Sequence, residues 1–327
     1  MPKTSRIGGM AAICACALLA LAAVAVPSVA LGNGHDPTLV YSSIPDPLPA
    51  NLPSVGAEAY AFDELGDQVQ LANGGRKLLS VEVALSDWTC QTGRWYEPNA
   101  CQTRPGSGFK LPLTLNLYAV GPENSVGAQL TSDTQTFFIP DRPSDSPVSQ
   151  CPEGEGEQWY DRRTRTCNHG LATSVSFELA YKGVTLPERL IYGITYNTSH
   201  YGHAPLGEST PCYTSSSGCG YDSLNIALSE EVLAGVKPLP GTLYQQSPLG
   251  GEYCDGGAAG VGVFRLDSPT DACWEKYVPA VAFHTANPPR TRRDCEQNGW
   301  RQDTDQWGGP FQNQGDCFGW FGGPGRP

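Results

Sequence analysis

Positive charge is scarce in this sequence. Lys and Arg number 21 against 33 Asp and Glu, so the formal net charge of the 327 residues is −12 at pH 7. Nucleic acids and anionic membrane surfaces are bound mainly by clustered basic side chains. The charge balance therefore predicts a protein that binds neither nucleic acid nor an anionic membrane surface.

The common catalytic and phosphate-binding motifs are also missing. The sequence has no G-x-S-x-G motif of serine hydrolases, no H-E-x-x-H zinc motif and no G-x-x-x-x-G-K phosphate-binding loop. It has no C-x-x-C pairs of the kind that hold structural zinc. The sequence therefore indicates no catalytic residue, and we predict neither a bound metal nor a cofactor.

Long hydrophobic runs are limited to the N-terminus. Lys3 and Arg6 precede an apolar run, Met10–Val26, and small residues follow it up to Ala30. A basic start, a short apolar stretch and then small residues are the pattern of a secretory signal peptide. The run is shorter than the roughly 20 residues of a membrane-spanning helix. We predict a signal peptide over residues 1–30, removed after Ala30.

The alternative is a lipoprotein anchor on Cys14 or Cys16, although most of the apolar run follows these cysteines. No second long apolar stretch is present, and the C-terminal FGWFGGPGRP has no hydrophobic tail. Removing Lys3 and Arg6 from the 21 basic residues leaves 19 against 33 acidic ones, a net charge of −14. The expected mature protein is secreted, extracellular and without a membrane span.

Twelve cysteines are present, and two of them lie in the predicted signal peptide. An even number of cysteines in an exported chain predicts disulfides, although ten cysteines allow many pairings. We predict pairing between neighbours, because each couple closes a loop rich in Gly, Pro, Ser or charge and leaves the segments between couples uninterrupted. The predicted disulfides are Cys90–Cys101, Cys151–Cys167, Cys212–Cys219, Cys254–Cys273 and Cys295–Cys317.

Apolar and polar residues alternate along most of the chain. In KLLSVEVALS the apolar positions are Leu79, Val81, Val83 and Leu85, and LPLTLNLYAV, TSVSFEL, RLIYGITYN and VGVFRLD continue the pattern. A period of two is typical of half-buried β-strands; only SEEVLAGV, from Ser229, favours a short helix. About eight to eleven strands with one apolar face each predict an all-β fold, an antiparallel two-sheet sandwich of jelly-roll or Greek-key type.

Composition divides the chain into four parts. After the signal peptide, residues 31–54 are expected to form an extended Pro-rich segment that includes SIPDPLPANLPS. Residues 55–287 are expected to form the β-sandwich domain. Residues 288–327 are expected to form a linker and a small C-terminal hairpin closed by the last disulfide.

Several separated motifs resemble a group of exported bacterial proteins of unknown function. The motifs are VYSSIPDPLPANLPS, ELGDQVQLANGGRKLLSVEVALSDWTC, LPLTLNLYAV, LPERLIYGITYNTSHYG, YDSLNIAL and GVFRLDSP, which together span roughly residues 39–284. The resemblance implies export and a β-rich fold. It implies no catalytic residues, because none are assigned in the group.

The C-terminal segment CEQNGWRQDTDQWGGPFQNQGDC is similar to a short element of the form CKNGGW…FKNQGxC found at the C-terminus of many exported bacterial proteins. Glu296 and Gln297 replace the usual Lys-Asn, and FGWFGG follows Cys317 where an apolar β-run is usual. This similarity also implies export.

The C-terminal element holds the main candidate residues for ligand binding. Trp300, Trp307, Phe311 and Trp320 lie within or just after the loop closed by the last disulfide, among Asn and Gln side chains. So short an element has little other core, so the sequence favours rings that pack inward around the disulfide. The alternative is that these four residues form a binding surface for a polysaccharide, because polysaccharides are bound by flat aromatic rings beside hydrogen-bonding groups.

Two further patterns leave metal binding open. His200 and His203 lie three residues apart in a loop, a spacing that can hold a metal if a carboxylate completes the set. Acidic turns could hold calcium, which needs about six to eight oxygens, although such turns also form for their backbone hydrogen bonds alone. The residues of these acidic turns are Asp63, Glu64, Asp67, Asp255, Asp267 and Asp271.

These features predict an exported, non-catalytic β-sandwich protein of the cell surface or extracellular matrix. Its expected partner is a polysaccharide or another cell-envelope component, bound by exposed aromatic rings. The alternative is a carbohydrate-active enzyme of jelly-roll type, a glycoside hydrolase or a lyase, which needs two carboxylates about 5–10 Å apart across a cleft. The candidate carboxylates on or beside predicted strands are Glu58, Glu82, Glu178 and Asp222.

Overall fold

The structure is a computed structural model that describes residues 37–57, 60–154, 156–197, 224–252, 254–269, 273–286, 291–296, 300 and 311–322. Strands dominate these residues. They are β1 (Thr38–Ser42), β2 (Ser54–Val55), β3 (Glu64–Gln70), β4 (Leu78–Asp87), β5 (Gly108–Val120), β6 (Val126–Pro140), β7 (Trp159–Asp161), β8 (Thr166–Asn168), β9 (Leu171–Glu178), β10 (Arg189–Tyr196), β11 (Leu224–Ser229), β12 (Tyr244–Gln246), β13 (Arg265–Leu266), β14 (Val278–Pro279) and β15 (Val281–Thr285).

A seven-stranded sheet and a six-stranded sheet contain all of these strands except β7 and β8, which form a separate two-stranded ribbon. In the first sheet the hydrogen-bonded order is β1-β15-β4-β11-β14, with β9 also paired to β4 and β2 to β11. In the second sheet the order is β13-β12-β3-β10-β5-β6. Every strand pair is antiparallel.

The inner faces of the two sheets share one hydrophobic core. Phe283 of β15 meets Tyr192 of β10 with ring centroids 5.9 Å apart, and Phe177 of β9 meets Phe137 of β6 at 4.9 Å. Each pair joins a strand of the first sheet to a strand of the second. Full burial of such a side chain contributes about 1.5–3 kcal/mol, so these contacts hold the sheets face to face. The predicted antiparallel two-sheet sandwich is confirmed.

The predicted alternation is confirmed in β9, where Val175 is buried and Ser174 and Ser176 are exposed. In β5, Leu113 and Leu115 are buried in the same way. Because successive side chains of a strand point to opposite faces, these patterns decide which face of each sheet meets the core.

One position of β4 departs from the predicted alternation. Leu79 is half-buried, whereas Leu78 is fully buried. His284 pairs with Ser80 and Thr285 pairs with Leu78, so Leu79 is an extra residue without a partner on β15. A bulge of this kind moves the following side chain to the opposite face, which explains why the prediction for Leu79 was wrong.

Part of the Pro-rich segment belongs to the sandwich. Thr38–Ser42 forms β1 against β15, with Val40 and Tyr41 fully buried. Ile44 and Leu52 then cover a patch of small residues on the outer face of the first sheet. The patch consists of Ala84, Ala227, Ala280 and Ala282. The sandwich therefore begins at Thr38, and the predicted boundary at residue 55 is wrong because the apolar side chains of the segment are needed for burial.

The short helix predicted from Ser229 does not form. Ser229 ends β11, and the following residues pair with other strands. Leu233 N donates to Ser42 O at 2.7 Å, and Gln70 and Val236 exchange two backbone hydrogen bonds of 2.9 Å. Tertiary pairing satisfies backbone groups that the helix would have paired internally, so the local helix preference is overridden.

Four of the five predicted disulfides form, with Cα–Cα distances of 5.4–5.9 Å. The fifth couple, Cys212 and Cys219, lies outside the described residues. In the chain-entropy model each loop closure contributes roughly 2–4 kcal/mol to stability. The four confirmed bonds are Cys90–Cys101, Cys151–Cys167, Cys254–Cys273 and Cys295–Cys317.

The described parts of the C-terminal element are helical turns around the Cys295–Cys317 disulfide, where the sequence predicts a hairpin. A 3-10 turn covers Arg292–Cys295, and a short helix, α1, covers Gln314–Gly319. The Asn313 side chain accepts a hydrogen bond from Asp316 N at 2.9 Å and so caps α1. The helix has six residues, and among the described residues no helix has the length and apolar character needed to cross a membrane.

Asp267 is a buried carboxylate beside β12 and β13. Its Oδ1 accepts a hydrogen bond from Leu243 N at 3.0 Å, and its Oδ2 accepts one from Trp274 Nε1 at 2.7 Å. Burial raises the pKa of Asp267 from 3.8 to about 6; the hydrogen bonds oppose this shift, and the negative charge of Asp255 adds to it. The folded state therefore binds a proton at Asp267 more tightly than the unfolded chain does.

This raised pKa predicts a stability contribution that grows on acidification. Between about pH 7 and about pH 5 the folded state takes up a proton at Asp267 while the unfolded state remains ionised, so the wild type gains roughly 1–2 kcal/mol relative to Asp267→Asn. Urea unfolding of both proteins at the two pH values measures this difference. A difference that stays constant or shrinks on acidification would contradict the prediction.

Candidate functional site

Four aromatic side chains meet at the surface where two disulfide-closed loops converge. We call Trp88, Trp95, Tyr96 and His169 the aromatic cluster, and each of them is half-buried. Trp88 stacks on His169 with ring centroids 5.5 Å apart and an angle of 10° between the rings. Trp95 meets Trp88 edge-on at 4.5 Å, and Tyr96 meets Trp95 edge-on at 5.7 Å. The cluster thus combines packed rings with ring surface that reaches solvent.

Three chain segments supply these rings. Trp88 directly follows β4, and Trp95 and Tyr96 lie in the loop closed by the first disulfide. His169 lies between β8 and β9, just after the loop closed by the second disulfide. Gly170 allows the close packing, because a Cβ atom there would lie 2.5 Å from Trp88 Nε1. The cluster therefore depends on contacts between segments that are far apart in sequence.

A buried arginine ties the two loops together beneath the cluster. Arg142 is fully buried, and its Nη2 pairs with Asp145 Oδ1 at 2.6 Å. Its Nη1 donates to Glu157 O at 3.1 Å, in the loop of the second disulfide. Asp145 Oδ2 accepts a hydrogen bond from Cys101 N at 2.9 Å, in the first disulfide. Arg142 and Asp145 therefore fix the position of one loop relative to the other.

The imidazole of His169 is neutral at neutral pH. Burial lowers its pKa from 6.5, and the positive charge of Arg142 lowers it further. Gln158 Nε2 lies 3.0 Å from His169 Nε2. Because an amide nitrogen can only donate, His169 Nε2 is the acceptor. The histidine therefore contributes an uncharged ring to the cluster.

The cluster can bind a flat, partly apolar ligand. Its rings offer apolar area, and Arg94 next to them carries guanidinium donors, with Cζ 5.8 Å from the centre of the Tyr96 ring. Aromatic faces beside a few hydrogen-bonding groups are suited to sugar rings, which have apolar faces and hydroxyl edges. Disulfide-closed loops limit the freedom that a binding surface loses when a ligand docks.

The C-terminal rings that are candidates for ligand binding are largely covered. Phe311 and Trp320 are buried, with ring centroids 6.1 Å apart, and they pack on the Cys295–Cys317 disulfide. Trp300 is partly buried against the same group, and Trp307 lies outside the described residues. The inward packing that the sequence favours is confirmed for Phe311 and Trp320, because an element this small uses its rings as core. The binding role that was the alternative for these two residues has little exposed ring surface to support it.

The first acidic turn does not converge on one point. Asp63 Oδ2 accepts a hydrogen bond from Gln246, Glu64 points to the outer face of the second sheet, and Asp67 points inward to Lys237. Strand alternation separates these carboxylates, because β3 begins at Glu64. The turn therefore forms no calcium site.

In the second acidic turn, Asp255 pairs with Arg265 at 2.7 Å and accepts backbone hydrogen bonds from Gly257 and Ser268. Within the described ranges, no group of three or more His, Cys, Asp or Glu side chains could hold a metal ion. Asp271 and the histidines His200 and His203 lie outside those ranges.

Two of the four candidate carboxylates for the enzyme alternative lie on one face. Glu82 of β4 pairs with Ser176, and Ser80 pairs with Glu178 of β9, so Glu82 and Glu178 are diagonal neighbours on the outer face of the first sheet. Glu178 is exposed and accepts a hydrogen bond from Ser176 Oγ at 3.2 Å. The other two, Glu58 and Asp222, lie outside the described residues.

No known protein family, characterised protein or solved structure matches the chain. The functional argument therefore depends on the geometry of the molecule itself.

Sequence reasoning missed the aromatic cluster. The local signal was DWTCQTGRWYEPNAC, in which Trp88 precedes the first disulfide and Trp95 and Tyr96 lie inside its loop. The same combination of rings and a disulfide is present at the C-terminus. His169 could not have been assigned to the cluster, because it joins through strand pairing between β4 and β9.

Proposed function

We propose that this protein is an exported, non-catalytic β-sandwich protein that binds a polysaccharide of the cell surface or extracellular matrix through the aromatic cluster. The observation that carries the proposal is the cluster itself, in which the half-buried rings of Trp95 and Tyr96 reach solvent on a disulfide-closed loop. Large aromatic side chains that reach solvent on a braced loop are suited to stacking on sugar rings.

Export is supported by the four disulfides, because such bonds persist in oxidising compartments, and by the predicted signal peptide. The resemblance to exported bacterial proteins remains a prediction that agrees with this assignment. The acidic charge of the chain, −12 in total, repels polyanions. A neutral polysaccharide therefore fits the proposal better than an acidic one.

Replacing Trp95 or Tyr96 by alanine is expected to weaken polysaccharide binding at least roughly tenfold, or about 1.4 kcal/mol, because a stacking surface is lost. The measurement is co-sedimentation of the protein with insoluble cellulose, chitin and β-1,3-glucan. The polymer that retains the wild type is then titrated with each variant.

Tyr181→Ala is the matched control for Tyr96→Ala. Tyr181 is 71% exposed in a 3-10 turn after β9, away from the cluster. Its replacement is expected to leave retention unchanged, and thermal unfolding verifies that all variants are folded. Retention of no polymer, or equal retention of Trp95→Ala and the wild type, would show that the proposed function is wrong.

A further inference from the structure

The outer face of the second sheet carries a buried carboxylate, that of Glu64 in β3. Glu64 is only 8% exposed. Its Oε1 accepts two hydrogen bonds, from Asn116 Nδ2 and from Tyr118 OH, each at 3.0 Å. Its Oε2 accepts no hydrogen bond from the described residues. One oxygen of this carboxylate is therefore available to a ligand.

Gly193 of β10 creates the place for this carboxylate. Gly193 pairs with Gly66 of β3 on one side and with Asn116 of β5 on the other. A Cβ atom at Gly193 would overlap Cγ, Cδ and Oε1 of Glu64. Glycine weakens a strand interior and often marks a site of close approach. At this position it lets the Glu64 side chain lie across β10 and reach its partners on β5.

Among the described residues, no positively charged side chain compensates the Glu64 carboxylate. Burial raises its pKa, its two hydrogen bonds oppose that shift, and no charged side chain of the described residues contributes. By contrast, the buried carboxylate of Asp67 pairs with Lys237. An uncompensated buried charge costs several kcal/mol. A ligand that supplied positive charge at Oε2 would remove much of this cost.

Aromatic rings border the carboxylate on the same face. The ring centroids of Tyr118, which donates a hydrogen bond to Glu64, and Phe264 are 5.6 Å apart. The ring centroids of Phe264 and Tyr244 are 6.0 Å apart. Tyr244 pairs directly with Gly66, which places its side chain on the face that Glu64 occupies. Aromatic rings attract organic cations.

The chemistry of this face favours an organic cation over a metal ion. Calcium needs about six to eight oxygen ligands, whereas Glu64 presents one open carboxylate oxygen. A primary ammonium group carries three N–H donors and one positive charge. It can donate to Oε2 while its neighbouring carbon atoms contact the half-buried rings of Tyr118 and Phe264; the ring of Tyr244 is fully buried behind them.

We propose that Glu64 binds the ammonium group of an organic ligand on the outer face of the second sheet. Amino sugars, lysine side chains and polyamines share this chemistry. The site uses none of the residues of the aromatic cluster, and the inference does not depend on the polysaccharide proposal.

Binding is measured by saturation-transfer NMR and by titration calorimetry with three ammonium probes: butylammonium, glucosamine and Nα-acetyl-lysine amide. Their neutral partners are butanol, N-acetylglucosamine and the doubly acetylated lysine amide. We expect at least one ammonium probe to bind, and its neutral partner to bind at least roughly tenfold more weakly. The tightest of the three probes identifies the source of the ammonium group.

Glu64→Gln keeps the shape of the side chain and removes its charge, so it is expected to weaken ammonium binding at least roughly tenfold. Glu178→Gln is the matched control, because Glu178 is an exposed glutamate on the first sheet. It is expected to bind as the wild type does. Thermal unfolding verifies that both variants are folded.

The proposal is overturned if no ammonium probe binds, if Glu64→Gln binds as tightly as the wild type, or if each neutral partner binds as well as its ammonium probe. Polysaccharide retention of the same variants is measured in parallel. Loss of retention in Trp95→Ala but not in Glu64→Gln shows that the two sites act separately. Each proposal can therefore fail without the other.

Discussion

Replacing Lys237 by methionine is expected to lower the free energy of unfolding by about 3–5 kcal/mol. Lys237 Nζ lies 2.5 Å from Asp67 Oδ2 and 2.7 Å from Thr242 O. Asp67 is fully buried on the inner face of β3. Without the ammonium group its carboxylate would keep, from the part of the chain that the structure describes, only the hydrogen bond from Gln68 N. Urea unfolding at neutral pH measures the loss.

The physical cause is an uncompensated charge inside the sandwich. Burial raises the pKa of Asp67 to about 6 even though the charge of Lys237 lowers it. Because the folded pKa is above the unfolded value, acidification neutralises the carboxylate in the folded state first. The loss in free energy of unfolding that Lys237→Met causes is therefore expected to become smaller as the pH falls from about 7 to about 5.

The double variant Asp67→Asn/Lys237→Met is the control for this explanation. Replacing both partners of a buried ion pair by neutral groups often changes stability little, whereas removing one partner is strongly destabilising. The double variant is expected to recover at least about 2 kcal/mol relative to Lys237→Met. A loss below about 1 kcal/mol in the single variant, or a double variant no more stable than the single one, would contradict this account.

Arg142→Met is expected to cost about 3–5 kcal/mol of stability and to abolish polysaccharide retention as well. Asp145 would lose the cation that compensates its nearly inaccessible carboxylate. The hydrogen bond to Glu157 O, which joins the second disulfide loop to the first, would also be lost. The rings of Trp95 and His169 would then no longer be held against each other.

Urea unfolding measures the stability loss, and co-sedimentation with the retained polymer measures the binding loss. Arg162→Met is the matched control, because Arg162 is exposed in the loop of the second disulfide. Its replacement is expected to change stability by no more than about 0.5 kcal/mol and to leave retention intact. Full retention by a folded Arg142→Met protein would show that the loops do not need this ion pair to present the rings.

The C-terminal rings Phe311 and Trp320 form a small core, as the sequence favours, and their alternative role in binding is not supported. Local sequence shows which rings lie near a disulfide, but it does not show which rings the fold covers. Phe311 and Trp320 are buried because the C-terminal element has few other apolar side chains. Trp95 and Tyr96 keep exposed surface because the large core lies elsewhere, between the sheets. Ring exposure depends on how much other apolar area competes for burial.

Glu64 illustrates the same limit. In the sequence it is one acidic residue of FDELGDQ, next to Asp63 and Asp67. Its partners Asn116 and Tyr118 come from β5. Gly193 belongs to β10, the strand that lies between β5 and β3, which carries Glu64. Strand order in a sheet is set by non-local pairing, so no local pattern could have brought these four residues together.

The sequence by itself determined the all-β class, the inner faces of strands such as β5 and β9, and the four disulfides that the described residues contain. All of these are local: side chains alternate with a period of two along one strand, and each disulfide closes a short loop. Only the tertiary structure decided that Thr38–Ser42 enters the first sheet, that Trp88, Trp95, Tyr96 and His169 meet, and that Glu64 is buried without a cation from the described residues. The physical reason is that burial and charge compensation depend on which residues are neighbours in space. The strand order determines those neighbours, and the local sequence pattern does not.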